Sequence, residues 1–328
     1  MKGLLIASSV ILGVVVGFLP QLSRPKPNWW KYLIVLLFFI NLFLILTPSL
    51  VSDNSYANYI ASQDIQEKIT LEYKPISISS QKDTFYLSNL NYPLLNINNI
   101  NLEKAKLIDV QYNKELKVFN IVGANKYNLI PISYPLILEL KERIKIMVVH
   151  VPIAWVSVLA YLLSMIYSIL YLRNGKYEHD IIANASANVG VMFTILATIT
   201  GMIWAKFNWG SYWNWDPRET SIFILLLIYF AYFALRSSID NPQTKAKLSA
   251  VYLIIAFAAV PFLVFIVPRI SSGLHPGAAG ENTAGPVLGG GAEMLNPNLL
   301  MTFGFSMFCF SLLFFWILNL KIRSELIK

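Results

Sequence analysis

The chain has 328 residues, of which 56% are hydrophobic and 13% charged, with a formal net charge of +8 and a mean hydropathy of +0.55. That balance excludes an ordinary soluble domain and points to a membrane protein. A membrane also accounts for the positive charge without nucleic acid, because basic residues collect in the loops between apolar segments.

Seven apolar runs have a length suited to helices spanning a hydrocarbon core, at about 3–20, 32–50, 146–172, 183–206, 219–236, 248–268 and 298–320. Backbone groups in lipid must bond to one another, so helices are expected, and no ten-residue alternation suggests a barrel. The fold class is therefore an all-α polytopic membrane protein of about seven spans, six of them a core and one an N-terminal addition. Lys2 before an apolar run is also how a secretory signal peptide begins, but Phe18-Leu-Pro-Gln lacks a small-residue cleavage site. An uncleaved helix, followed by a basic loop through residue 31, is the expectation.

The run at 32–50 is the first core span. From 51 to 130 the composition turns to Asn, Ser, Lys and Ile, and His, Cys and Trp are absent. Alternating stretches at Lys74-Pro-Ile-Ser-Ile-Ser-Ser, Thr84-Phe-Tyr-Leu and Leu116-Lys-Val-Phe-Asn-Ile-Val predict half-buried strands, with turns at Asn91-Tyr-Pro and Gly123-Ala-Asn. This insert reads as a small β-rich docking or spacer module, with a partner-binding edge strand as the sharper alternative.

Residues 131–328 carry the remaining spans. His150 precedes Val151-Pro152 at the edge of a span, with the proline suited to a first helical turn. Arg24, Lys26 and Lys31, then Arg173 and Lys176, then Arg236, Lys245 and Lys247, then Lys321, Arg323 and Lys328 all fall on one side if every run crosses. That side is cytoplasmic by the positive-inside rule, which puts residues 51–145 and the segment at 207–218 outside the cytoplasmic (inner) membrane.

The outer segment holds Trp209, Trp213 and Trp215, three of eight tryptophans, together with Gly210. An aromatic belt at the lipid boundary would account for some of this. Asp216-Pro217-Arg218-Glu219 fits a helix start, with Asp as N-cap, Pro at the first position and Glu closing a capping box. Arg218 suits either a carboxylate of a ligand or a snorkelling side chain. Trp155 and Trp204 read as membrane anchors. His275, before Pro276, lies at a second outer edge, and the glycines at 277, 280, 285 and 289–291 suggest a loop that opens. His179 sits among cytoplasmic charges and is given no role. Cys309 is the single cysteine, so a thiolate site within one chain is excluded. A flat apolar ligand with an iron and negative edge groups would find aromatic faces, imidazoles and a cation on this outer face.

Three pieces of sequence resemble a known family: Trp209-Gly-Ser-Tyr-Trp-Asn-Trp-Asp216, His150-Val-Pro-Ile-Ala-Trp and Ser272-Gly-Leu-His275-Pro-Gly. They are similar to the haem-handling proteins with a WWD domain, and among these to the cytochrome c maturation protein C (CcmC) family, over about 29–50 and 131–328. The resemblance implies haem b held transiently outside the membrane with His150 and His275 as axial ligands. It implies that Trp209, Gly210, Trp213, Trp215, Asp216 and Arg218 support it for presentation to the haem chaperone CcmE. CcmD, the CcmA and CcmB transporter subunits and membrane lipid are the implied partners. Such a chain positions its cargo and need not break bonds itself. Two other readings stand beside this one: a CcsA-type haem-attachment subunit, and a transporter or structural subunit without cofactor.

Overall fold

A computed structural model of the chain describes residues 2–46, 54–73, 75–78, 84–88, 90–103, 105–125, 144–275 and 297–327. It divides into two compact units, residues 1–45 with 145–328 and residues 46–144.

In the first unit the described residues form helices α1 (Lys2–Phe18), α2 (Asn28–Leu46), α4 (Ile144–Asn174), α5 (Tyr177–Trp209), α6 (Pro217–Ser237), α7 (Pro242–Pro261), α8 (Val267–Ile270) and α9 (Pro297–Leu326). A π-helical turn at Phe262–Ile266 joins α7 to α8. Six of the described helices, counting 242–270 as one, are long and apolar enough to cross a membrane. The expected seventh, α1, is apolar but has 17 residues, a length of about 25 Å against a hydrocarbon core of about 30 Å. It lies along α9 through a seam of small residues. A Cβ on Gly13 would meet Ser311 at 2.8 Å, and one on Gly17 would overlap the Phe315 ring. Lys26 secures the end of α1 by donating all three of its protons, to the carbonyls of Gly17, Leu19 and Pro20.

Helix α5 has 33 residues, about 50 Å, well beyond the run at 183–206 read from hydropathy. The added turns carry Trp209 at one end and an ion pair at the other. Asp180 accepts both forks of the Arg236 guanidinium at 2.9 and 2.7 Å, which ties α5 to α6. Between these ends, Tyr161 stacks on Tyr229 at 3.8 Å, and Phe193 meets Phe314 edge-on.

Pro152 lies inside α4, not in its first turn as expected. Without an N–H it leaves the carbonyl of Val148 with no partner from the helix ladder. Ser306 of α9 donates its hydroxyl to that carbonyl at 2.8 Å, so the neighbouring helix supplies the missing bond. The polar contact is what lets the proline sit deep in an apolar helix.

The second unit is a six-stranded sheet with one described helix, α3 (Asn54–Ser62). Its strands are β1 (Lys68–Glu72), β2 (Pro75–Ile78), β3 (Thr84–Leu87), β4 (Leu94–Leu95), β5 (Leu107–Asn113) and β6 (Val118–Asn125), in the order β1-β5-β6-β4-β3-β2. Only β4 with β6 is parallel. All three predicted strands are present, while β1, β4, β5 and α3 were not anticipated. Ala57, Ile60 and Ala61 of α3 are buried with Leu71, Ile108, Val110 and Phe119. Gly123, expected in a turn, is a strand residue beside the bulge at Asp109/Val110. A Cβ there would come within 3.1 Å of the Asp109 carboxylate, so its glycine provides space, not a reversal.

Candidate functional site

A cavity of about 280 Å³ opens among α4, α5, α6, the π turn and α8. His150, His275, Trp213 and Arg218 all line it. So do Trp155 and Trp204, which sequence reasoning had set aside as anchors, and Arg269, which it had not considered. Prolines 261 and 268 bracket the π turn, each removing a backbone donor, and the widened turn puts Leu263, Val264 and Phe265 on the wall.

His150 is anchored by α5. Its Nδ1 lies 3.0 Å from the Thr200 hydroxyl, whose own proton goes to the carbonyls of Leu196 or Ala197 at 2.9 and 3.1 Å. With the hydroxyl proton assigned to those carbonyls, the oxygen accepts from Nδ1–H and Nε2 keeps its lone pair. Gly201 lets the ring approach: a Cβ there would stand 3.1 Å from Cε1 of His150. Neither residue was singled out from sequence, although a Thr-Gly pair inside an apolar run was a visible signal.

The tryptophan segment is a compact turn between α5 and α6. Gly210 ends α5 in the left-handed conformation, φ 80°, as helix C-termini commonly require. Asp216 caps α6 and Glu219 completes the capping box, accepting from the backbone N–H of Asn214 at 2.7 Å and of Asp216 at 3.3 Å. Trp215 has φ 55°, an uncommon conformation for a bulky residue, and its side chain is exposed. It meets Trp213 edge-on at 5.7 Å and Phe223 at 6.4 Å.

Asp216 reaches further than its own helix. Its Oδ1 accepts from the Arg218 N–H at 2.9 Å, and its Oδ2 from the Leu274 N–H at 2.6 Å. Nδ1 of His275 lies 3.4 Å from Oδ1. Burial pushes this carboxyl's pKa up, but the His275 contact and the two backbone donors outweigh it and hold the value down to about 2. Trp209 packs on the His275 ring with centroids 4.9 Å apart. Of the eight candidate residues, four form the wall, while Trp209 and Asp216 stand behind His275. Gly210 shapes the turn and Trp215 flanks Trp213. The glycines proposed to form an opening loop lie outside the described residues.

Residues 128–327 match the family model CcmC, described as heme exporter protein C. The chain belongs to the heme exporter protein C family. The chain is 33% identical to heme exporter protein C of Paracoccus denitrificans over 183 residues, 56% of this chain and 73% of that one. The counterpart from Rhodobacter capsulatus is 33% identical over 144 residues, 44% of this chain and 60% of that one. A shorter stretch of 88 residues is 36% identical to the cytochrome c biogenesis protein CcsA of Manihot esculenta, covering 27% and 26% of the two chains. The CcmC match takes in α4 to α9 and every wall of the cavity; residues 29–50, included in the earlier resemblance, lie outside it.

Proposed function

We propose that this CcmC-family chain binds haem as cargo in the cavity and presents it to the haem chaperone CcmE during system I cytochrome c maturation. The observation that carries this reading is that His150 and His275, 125 residues apart in sequence, line one cavity. Two imidazoles suit an iron whose other four positions are already filled by a porphyrin. Indole faces from Trp155, Trp204 and Trp213 fit an apolar macrocycle, and Arg218 and Arg269 supply cations for its carboxylates. Nε of Arg218 is buried with no hydrogen-bond partner among the described residues, as a guanidinium awaiting an anionic ligand would be.

The volume, about 280 Å³, falls just below the roughly 300–1,000 Å³ range of small-molecule sites. The chain's residues bind, orient and release. By the distribution of Lys and Arg, the cavity faces outward from the cytoplasmic membrane, with the insert on the same side. CcmD and the CcmA and CcmB subunits are the partners that this role calls for. Membership of the CcmC family over 128–327 favours this assignment over a CcsA-type synthetase.

The test is co-purification with CcmE, scored for haem covalently attached to it. Attachment that depends on His150 and His275 is expected. Attachment that is unchanged in both single alanine variants would count against the proposal.

A further inference from the structure

We propose that the two imidazoles are unequal ligands: Asp216, acting through His275, makes His275 the firmer one and leaves His150 as the one that lets go first. This rests on the bis-histidine reading above. Asp216 is then a positioning residue, since it lies outside the cavity wall and touches the imidazole from behind.

The asymmetry is in what backs each ring. Nδ1 of His275 faces a carboxylate whose side chain is 1% exposed, and that nitrogen has no hydrogen-bond partner among the described residues. At 3.4 Å the contact is long for a hydrogen bond. An anion there draws the ring proton to Nδ1 and leaves Nε2 for a metal. Behind His150 stand the neutral hydroxyl of Thr200 and the backbone of Ala197, neither of them charged. Both rings offer Nε2, but only one is backed by negative charge.

The carboxylate is held for this task. Arg218 and Leu274 backbone donors fix both oxygens, and Leu274 is the residue before His275, so the same contact sets the imidazole's position. Gly273 brings the segment close, since a Cβ there would fall 2.6 Å from Oδ2 of Asp216. Helix capping accounts for the Arg218 contact. It does not account for the Leu274 bond or for the imidazole lying against the second face.

A cargo site benefits from this inequality, because release then starts at a defined ligand. Opening the bond to His150 leaves the iron on His275 while the porphyrin edge is passed on.

The experiment uses the full-length protein in detergent, loaded with haem, and the variants Asp216→Asn, His150→Ala and His275→Ala. Asn caps helices as well as Asp does, so Asp216→Asn keeps the cap and removes the charge, while its single amide oxygen can accept only one of the two backbone bonds. The expected results are an upward shift in the midpoint potential of the bound iron, because an anion behind the ligand favours the ferric state, and an affinity loss of about tenfold or more. His150→Ala is expected to keep more haem than His275→Ala. An unchanged potential in Asp216→Asn, or equal retention by the two histidine variants, overturns the proposal. Selective ¹⁵N-histidine labelling of the haem-free protein, which has three histidines, reads the proton directly. His275 protonated at Nδ1 is expected, and a neutral ring protonated at Nε2 overturns the proposal. A wild-type protein that takes up no haem instead sinks the haem reading itself, which the labelling result does not.

Discussion

Gly201 sets how closely the His150 imidazole can be held against α5. Gly201 leaves 3.1 Å between a would-be Cβ and the His150 ring, so Gly201→Ala pushes the ring by a few tenths of an ångström. Haem retention is expected to fall by about tenfold, the scale of outer-shell disruption at metal ligands, with insertion and helicity unchanged; haem content per protein measures it. The Asp216 carboxylate gives a pH signature. Its folded pKa of about 2 lies below the unfolded value of roughly 3.9, so its stabilisation is complete above about pH 4 and is lost as pH falls through about 2. The difference in melting temperature between wild type and Asp216→Asn should hold steady from pH 7 to about 4 and narrow below that. A difference that vanishes by pH 5 would contradict the tight clamp on this carboxylate.

At the scale of the helices, the membrane unit combines apolar surface with a few polar contacts that repair broken backbone ladders. Ser306 bonds the carbonyl that Pro152 leaves open. Removing the donor with Ser306→Ala should cost about 1–3 kcal/mol, the penalty for a buried unsatisfied carbonyl. In a Pro152→Ala background the helix can supply its own N–H, and the cost of Ser306→Ala should shrink to that of losing the Asn41 amide's bond to the same hydroxyl, 3.3 Å. Thermal unfolding of the four proteins in a double-mutant cycle measures this coupling; additive effects would mean that the hydroxyl does not serve the proline. The π turn follows the same logic, since prolines 261 and 268 loosen the ladder where the cavity needs a wide wall.

Across the whole molecule, the matched family region holds every cavity-lining residue, while every described strand, from Lys68 to Asn125, lies before it in sequence. Deleting residues 55–128, none of which lines the cavity, should leave haem binding within about twofold of wild type if the insert acts independently. Loss of bound haem in that variant would assign the insert a part in the site. The spans and the capped start of α6 were legible in sequence because each is local: hydropathy, and Asp, Pro and Glu at fixed spacing. The wall was legible only in part. Trp213 stood out by clustering, whereas Trp155 and Trp204 were masked by the general habit of tryptophan at lipid boundaries. Thr200, Gly201 and Arg269 act on residues from other helices, and one sequence does not reveal which helices face each other. In the insert, α3 was missed because its apolar signal is only Ala57, Ile60 and Ala61 in a polar stretch. Gly123 was misread because space for Asp109 is a property of the partner strand.

The central claim is that one iron is held between His150 and His275. The most direct measurement is the absorption and electron paramagnetic resonance spectrum of the purified protein supplied with haem, in wild type and in each single histidine variant. A low-spin, six-coordinate spectrum in wild type is expected, turning high-spin or disappearing when either histidine is replaced by alanine. A wild-type protein that stays colourless, or a low-spin spectrum that survives both single replacements, would contradict it.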